Sequence, residues 1–275
     1  MTLKAAVLGS PISHSLSPTL HRAAYEALGL DIEYTAIETP TEMLAQRIAE
    51  LDDNSLGYSL TMPLKRDVLS LVDNHSRLVI QTGCANTVYR NEDQKWALEN
   101  TDVFGIVQTI LQAGLSHIKS ACIIGSGATA GSALIALSEL GVERVTCYAR
   151  NQAAFLLLRS QSESLGVDFQ AVTLENEKDV VLSGDLVITT VPSSAQKQII
   201  DMFAVDQGHS VLLDIAYNPW PSELASYWEL HGGGPVLSGV DMLLWQACAQ
   251  VELFTGEKAP VEVMRASLPK GLSTA

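Results

Sequence analysis

The run Ser120-Ala-Cys-Ile-Ile-Gly-Ser-Gly-Ala-Thr-Ala-Gly-Ser-Ala-Leu-Ile-Ala-Leu-Ser-Glu-Leu-Gly141 decides how the chain reads. Ala121 to Ile124 is a short apolar strand, Gly125 to Ala130 a turn of small residues, and Ala133 to Leu140 an amphipathic helix that stops at Gly141. Gly125 and Gly127 carry no side chain, so the backbone can turn tightly and approach a pyrophosphate. Ala130 takes the third small position, where helix and strand pack closely. The start of the helix then turns backbone N–H groups toward the anion. Arg144-Val-Thr-Cys-Tyr-Ala149 supplies the next strand and completes a βαβ unit of the length a dinucleotide fold needs. An ordinary tight turn would leave the glycines and alanines of the turn less well explained. The residues expected around the dinucleotide are Gly125, Ser126, Gly127, Ala128, Thr129 and Ala130.

Outward from this unit, strands and helices alternate in both directions. Toward the N-terminus the pattern predicts strands at Leu3–Leu8, Glu33–Glu38, Gly57–Met62 and within Ile80–Tyr89. Helices are expected from Ser17 to Leu28, Thr41 to Leu51, Arg66 to Val72 and Ile106 to Gln112, with Ser17 and Thr41 as caps and Pro18 in a first turn. Toward the C-terminus a helix at Ala153–Leu165 precedes strands at Phe169–Val172, Leu186–Val191 and Ser210–Ile215, and helices close the chain at Met242–Phe254 and Val261–Ser267. This predicts a two-domain α/β protein with a mainly parallel αβα substrate domain and a Rossmann dinucleotide-binding domain. The expected boundaries are residues 1–103 for the substrate domain, 104–238 for the dinucleotide domain and 239–275 for helices that return to the first domain. No flexible linker separates them.

At 275 residues with 47% hydrophobic content the chain can build two cores. No run approaches the ~18 apolar residues of a membrane span, and Met1-Thr-Leu-Lys4 enters a strand without a secretory pattern, so a cytoplasmic protein is expected. Cys84, Cys122, Cys147 and Cys248 form no C-x-x-C pair, which suits reduced core thiols rather than disulfides or a metal site. The net charge of −14 is spread along the chain and argues against nucleic acid or an anionic membrane as partner. An anionic ligand must then be met by local donors.

Dinucleotide binding implies hydride transfer, and the accompanying proton needs a side chain to carry it. Lys65 lies behind a proline at a strand end, and Asp102 opens a helix beside Asn100 and Thr101. A lysine oriented by a carboxylate can hand over a proton, although spacing alone favours a surface lysine and a capping aspartate.

Six ordered stretches then resemble the shikimate dehydrogenase family over nearly the whole chain. Gly9-Ser-Pro-Ile-Ser-His-Ser-Leu-Ser-Pro18 resembles G-x-P-I-x-H-S-x-S-P, Ser59-Leu-Thr-Met-Pro-Leu-Lys65 resembles N-V-T-x-P-x-K, and Gly83-Cys-Ala-Asn-Thr87 resembles G-A-x-N-T. Asn100-Thr-Asp102 resembles G-x-N-T-D, Asp214-Ile-Ala-Tyr-Asn-Pro219 resembles D-x-x-Y-N-P, and Gly239-Val-Asp-Met-Leu-Leu-Trp-Gln246 resembles G-x-x-M-L-x-x-Q. The resemblance implies reversible, NADP-dependent reduction of 3-dehydroshikimate to shikimate in aromatic amino-acid biosynthesis. It assigns Lys65 and Asp102 to the catalytic pair and Ser15, Ser17, Thr61, Asn86, Tyr217 and Gln246 to the substrate, with Gly239 beside the cofactor. Hydroxyls and amides suit a triol acid because they both donate and accept. His14 and His21 follow no metal-ligand spacing and read as local hydrogen-bonding residues. No metal is expected, and the chain reads as a monomer or homodimer.

Two positions depart from the family pattern. Ser59 stands where the family has Asn, and Ala149-Arg150-Asn151 is followed by Ala153-Ala154 where NADP users commonly carry a further basic residue. Arg150, with help from Asn151, is left to meet a 2′-phosphate, and no acid stands there to take the ribose hydroxyls of NAD. The alternatives are an NAD-dependent quinate/shikimate dehydrogenase on the same scaffold, or a catalytically silent sensor. The sensor reading calls for loss of Lys65 or Asp102, and both are present.

Overall fold

The computed structural model describes residues 2–150, 152–174, 180–205 and 210–272. The chain divides into two compact units, one of Met1–Gly105 with Leu243–Lys270 and the other of Ile106–Met242 with Gly271–Ala275.

In the first unit the chain runs β1 (Leu3–Gly9), α1 (Ser17–Ala27), β2 (Ile32–Glu38), α2 (Leu44–Ala49), β3 (Ser55–Leu60), β4 (Asn74–His75), α3 (Arg77–Thr82), β5 (Thr87–Arg90) and β6 (Trp96–Glu99). The sheet order is β2-β1-β3-β5-β6-β4. β1 pairs parallel with β2 and β3, and β4 with β6, whereas β5 runs antiparallel to β3 and to β6. The alternation expected from sequence accounts for the parallel part, and the β5–β6 hairpin adds two antiparallel pairs.

Ala5, Ala6, Val7 and Leu8 of β1 are all buried, as a strand covered on both faces requires. The core on one side joins Leu8, Leu44, Leu60, Leu64, Val68, Val88 and Leu98. Where a helix was expected over Arg66–Val72, the chain makes only a 3₁₀ turn at Asp67–Ser70. The Leu69 N–H donates to the Arg66 carbonyl at 3.2 Å, an i−3 bond, while the Lys65 carbonyl accepts the Ala85 N–H at 2.8 Å. Neither Ser17 nor Thr41 is a cap, because Leu16 precedes α1 with helical dihedrals and Pro40 precedes the turn at Thr41–Met43.

α4 (Asp102–Gln112) leads into the second unit, which continues β7 (Ser120–Ile124), α5 (Ala128–Glu139), β8 (Arg144–Ala149), α6 (Phe155–Leu165), β9 (Asp168–Thr173), β10 (Val180–Leu182), β11 (Leu186–Thr189), α7 (Ser193–Ile200), β12 (Phe203–Val205), β13 (Val211–Asp214), α8 (Glu223–Leu230) and β14 (Val236–Ser238). Six of these strands form a sheet in the order β14-β13-β11-β7-β8-β9, with every pair parallel. Numbered from β7, this is the 3-2-1-4-5-6 arrangement of a doubly wound dinucleotide fold, with its switch point between β7 and β11. β14 was not legible in the sequence, and neither was the small β10–β12 pair. The core includes Ile124, Val187, Leu212, Leu224 and the fully buried Trp228.

α9 (Gly239–Thr255) and α10 (Val261–Ala266) end the chain, and α10 packs beside α1. All four cysteines are buried and none forms a disulfide, and burial pushes the Cys122 and Cys147 thiols up to about 12. Among the described residues no helix is long and apolar enough to cross a membrane.

Candidate active site

Strand direction gathers the chemistry of the first unit at one sheet edge. β1 and β3 are parallel, so the loop after β1 and Thr61 after β3 emerge on the same side. β5 is antiparallel to β3 and pairs Thr87 with Ser59, which brings Asn86, just before β5, to that edge. β6 reverses again and pairs Glu99 with Thr87, delivering Asn100, Thr101 and Asp102 there as well.

At this edge the Lys65 Nζ donates to Asp102 Oδ2 at 2.6 Å. The two side chains are 14% and 4% exposed, so Lys65 is not a surface lysine. Asp102 is the first residue inside α4 rather than the residue before it, and its own N–H donates to Asn100 Oδ1 at 3.1 Å. The Asn100 amide in turn donates to Thr82 Oγ1 at 3.0 Å and the Cys84 carbonyl at 3.2 Å. The Asp102 carboxylate is therefore left for Lys65 and for Asn86, whose Nδ2 donates to Asp102 Oδ1 at 2.8 Å.

Asn86 is 2% exposed and joins the rest of the cluster. Its Oδ1 accepts the Thr101 N–H and the Thr87 hydroxyl, both at 2.8 Å. Its Nδ2 also lies 3.3 Å from Gln246 Oε1, whose own amide is held by the Leu243 carbonyl at 2.8 Å. Lys65, Asp102, Asn86 and Gln246 thus form one hydrogen-bonded group. Ser15 and Thr61 lie in the loops after β1 and β3, where the Thr61 N–H donates to the Leu8 carbonyl and the Ser10 N–H to the Met62 carbonyl, both at 2.9 Å, and Ser17 is the buried first residue of α1. Ser15 Oγ accepts the Ser17 N–H at 3.3 Å.

Sequence reasoning missed the layer behind Asn86. Gln250 Nε2 donates to the Asn86 carbonyl at 3.2 Å and to Thr87 Oγ1 at 2.9 Å. Its Oε1 accepts the Ser59 hydroxyl at 2.8 Å and faces His21 Nε2 at 3.2 Å. Ser59 accepts the Tyr34 hydroxyl at 2.7 Å, while His21 stacks on Tyr34 with ring centroids 4.0 Å apart and meets the Tyr25 hydroxyl at 3.0 Å. Burial pushes the His21 imidazole down to about 3, so it is neutral near pH 7. The spacing of Gln246 and Gln250 was an available signal, since residues four apart share a helix face.

In the second unit, Gly125 follows β7 with φ +112, and a Cβ there would collide with the Thr190 side chain. Gly127, the N-cap of α5, has an ordinary φ of −75, and a Cβ on it would meet nothing within 4 Å. The need for glycine at 127 therefore does not come from the protein's own packing. The open space before a helix start fits a phosphate brought close to backbone N–H groups. Ser126, Ala128 and Thr129 are half-buried in this turn, and Ala130 is fully buried against the strand.

Arg150 follows β8, is exposed, and donates from Nη1 to Gln198 Oε1 at 3.0 Å, with no ion pair among the described residues. Asn151 lies outside the described residues. Tyr217 is half-buried in the loop after β13. That loop is pinned by Asp214, which accepts the Ala216 N–H at 3.1 Å, the Gln196 amide at 2.9 and 3.1 Å, and the Ser222 hydroxyl. Burial nevertheless holds the Asp214 carboxyl above its ordinary range. Gly239 begins α9 against the Ile215 carbonyl, where any Cβ would overlap the backbone.

Comparison with known proteins follows this geometry. The family model described as Shikimate dehydrogenase substrate binding domain matches residues 7–88, and the Shikimate 5'-dehydrogenase C-terminal domain matches residues 239–268. The Shikimate dehydrogenase (NADP(+)) of Methanopyrus kandleri is 32% identical, covering 94% of this chain and 92% of that protein. The Mycobacterium tuberculosis shikimate dehydrogenase structure superposes with a TM-score of 0.82 at 36% identity, over 96% of this chain and 98% of that one. A Thermus thermophilus shikimate 5-dehydrogenase in complex with NADP(H) and shikimate gives a TM-score of 0.80 at 28% identity, over 97% and 100%. With its ordered motifs, its two α/β units and relatives matched from end to end, the chain belongs to the shikimate dehydrogenase family.

Proposed function

We propose that this protein is an NADP-dependent shikimate dehydrogenase, a cytoplasmic enzyme of aromatic amino-acid biosynthesis that interconverts 3-dehydroshikimate and shikimate. The first unit holds the substrate and the second the dinucleotide. The observation that carries the reading is the 2.6 Å pair of Lys65 and Asp102, joined to the amides of Asn86 and Gln246 in one enclosed cluster.

Lys65 Nζ exchanges a proton with the oxygen on the reacting carbon. Asp102 holds that nitrogen in position and balances its charge. Asn86, Gln246, Ser15, Ser17, Thr61 and Tyr217 recognise the carboxylate and hydroxyls through neutral donors and acceptors. Such groups let a chain of net charge −14 accept an anion.

Gly125 to Ala130 cradle the pyrophosphate, and Gly239 lies near the cofactor. NADP(H), when bound, supplies or takes up the hydride. Arg150, engaged by a neutral amide rather than an acid, is available to pair with a 2′-phosphate, with Asn151 beside it in sequence. This favours NADP over NAD.

Replacing Lys65 with Ala lowers kcat for shikimate oxidation about 10²- to 10⁴-fold with little change in shikimate KM. Near-normal turnover of that variant removes Lys65 from the mechanism.

A further inference from the structure

Gln250 uses its whole hydrogen-bonding capacity. A primary amide has two donor hydrogens and an oxygen that accepts two bonds. In this chain the hydrogens go to the Asn86 carbonyl and Thr87 Oγ1, and the oxygen faces the Ser59 hydroxyl and His21 Nε2. The Asn86 carbonyl can only accept, so it fixes which end of the Gln250 amide is nitrogen. The residue is 1% exposed, and an unmet group there would be costly.

The direction of these bonds carries forward. Thr87 Oγ1 accepts from Gln250 and so aims its own hydrogen at Asn86 Oδ1, 2.8 Å away. With the Thr101 N–H on the same oxygen, the Asn86 amide has one allowed orientation. In it, Nδ2 faces Asp102 Oδ1 and Gln246 Oε1. Gln250 also grips the Asn86 main chain through a carbonyl that already accepts the Leu60 N–H at 2.7 Å. Both the backbone and the side chain of Asn86 are therefore set from behind.

We propose that Gln250 is a positioning residue for the reaction, acting through Thr87 to orient Asn86 against Asp102 and Gln246 without touching the substrate. Ser59 and His21 hold Gln250 in turn. Ser59 replaces an asparagine of the family pattern, and a hydroxyl that accepts from Tyr34 and donates to Gln250 is what this direction of bonds requires. The proposal rests on the shikimate dehydrogenase reading.

The test is a double-mutant cycle on initial rates of shikimate oxidation with NADP. Gln250→Leu lowers kcat/KM about tenfold in the otherwise native enzyme but less than about twofold when Asn86 is already Ala, because its effect passes through Asn86. Thr87→Val, which removes only the hydroxyl leg, shows the same dependence and serves as the cycle if Gln250→Leu does not fold. Equal losses in the two backgrounds, or unchanged kcat/KM in a folded single variant, overturn the positioning role. An unaltered enzyme that does not oxidise shikimate overturns the functional reading and this inference with it, whereas an active enzyme with additive losses overturns this inference alone.

Discussion

The Asp102→Asn substitution tests the proton-transfer pair with the least change of shape. The carboxylate accepts Lys65 Nζ at 2.6 Å on Oδ2 and Asn86 Nδ2 at 2.8 Å on Oδ1. An asparagine has one carbonyl oxygen, so it can accept from only one of these two donors. Its own NH₂ must then face the other, giving a donor–donor contact. A bond to a charged group contributes about 1.5–3 kcal/mol and a neutral one about 0.5–1.5 kcal/mol. Loss of the ionic partner together with one misdirected contact therefore weakens the arrangement by about 2–4 kcal/mol, or roughly 30- to 1,000-fold in rate at 1.4 kcal/mol per decade. The assay is kcat/KM for shikimate from initial rates of NADP reduction, with thermal unfolding as a control for an intact fold. A folded variant within about threefold of the native kcat/KM would refute the assignment.

Two further outcomes follow from burial and backbone geometry. His21 has an ordinary value near 6.5 and a folded value of about 3, so between these the unfolded chain binds more protons and stability falls as pH falls. Measured against a His21→Gln variant by urea unfolding, the native protein should lose about 2 kcal/mol more on going from pH 8 to pH 5, and parallel curves would contradict the buried neutral imidazole. Gly127→Ala meets no protein atom, so it should leave the unfolding free energy measured in urea within about 0.5 kcal/mol of native while raising the KM for NADP about tenfold or more. An unchanged KM would remove that position from the phosphate cradle.

The dinucleotide unit is legible because its signals are local. An apolar strand, a glycine turn, a helix and a second strand are contiguous in sequence, and the structure returns the strands and helix as β7, α5 and β8, with α5 buried throughout 130–137 rather than amphipathic. The β5–β6 hairpin carries no such signal. Its strands have four residues each, and its turn takes the left-handed conformation at Gln94, φ 59, with no Asn-Gly or Asp-Gly to mark it. That hairpin brings Asn86 and Asp102 to one edge, so motif resemblance named residues whose meeting depends on an illegible turn. The layer behind them is more distant still. Gln250 meets Ser59 across 191 positions and Thr87 across 163, and only topology connects such partners. Spacing favours Asp102 as a cap, whereas the structure has Asn100 Oδ1 accepting the Asp102 N–H and the Asp102 carboxylate accepting from Lys65.

The central claim is that this protein oxidises shikimate with NADP. It is tested most directly by kcat/KM measured with purified protein for shikimate and for quinate, each against NADP and NAD. With Asn86 and Gln246 proposed at the substrate and Arg150 engaged by an amide rather than an acid, the highest value is expected for shikimate with NADP. A higher value for quinate with NAD would contradict the account.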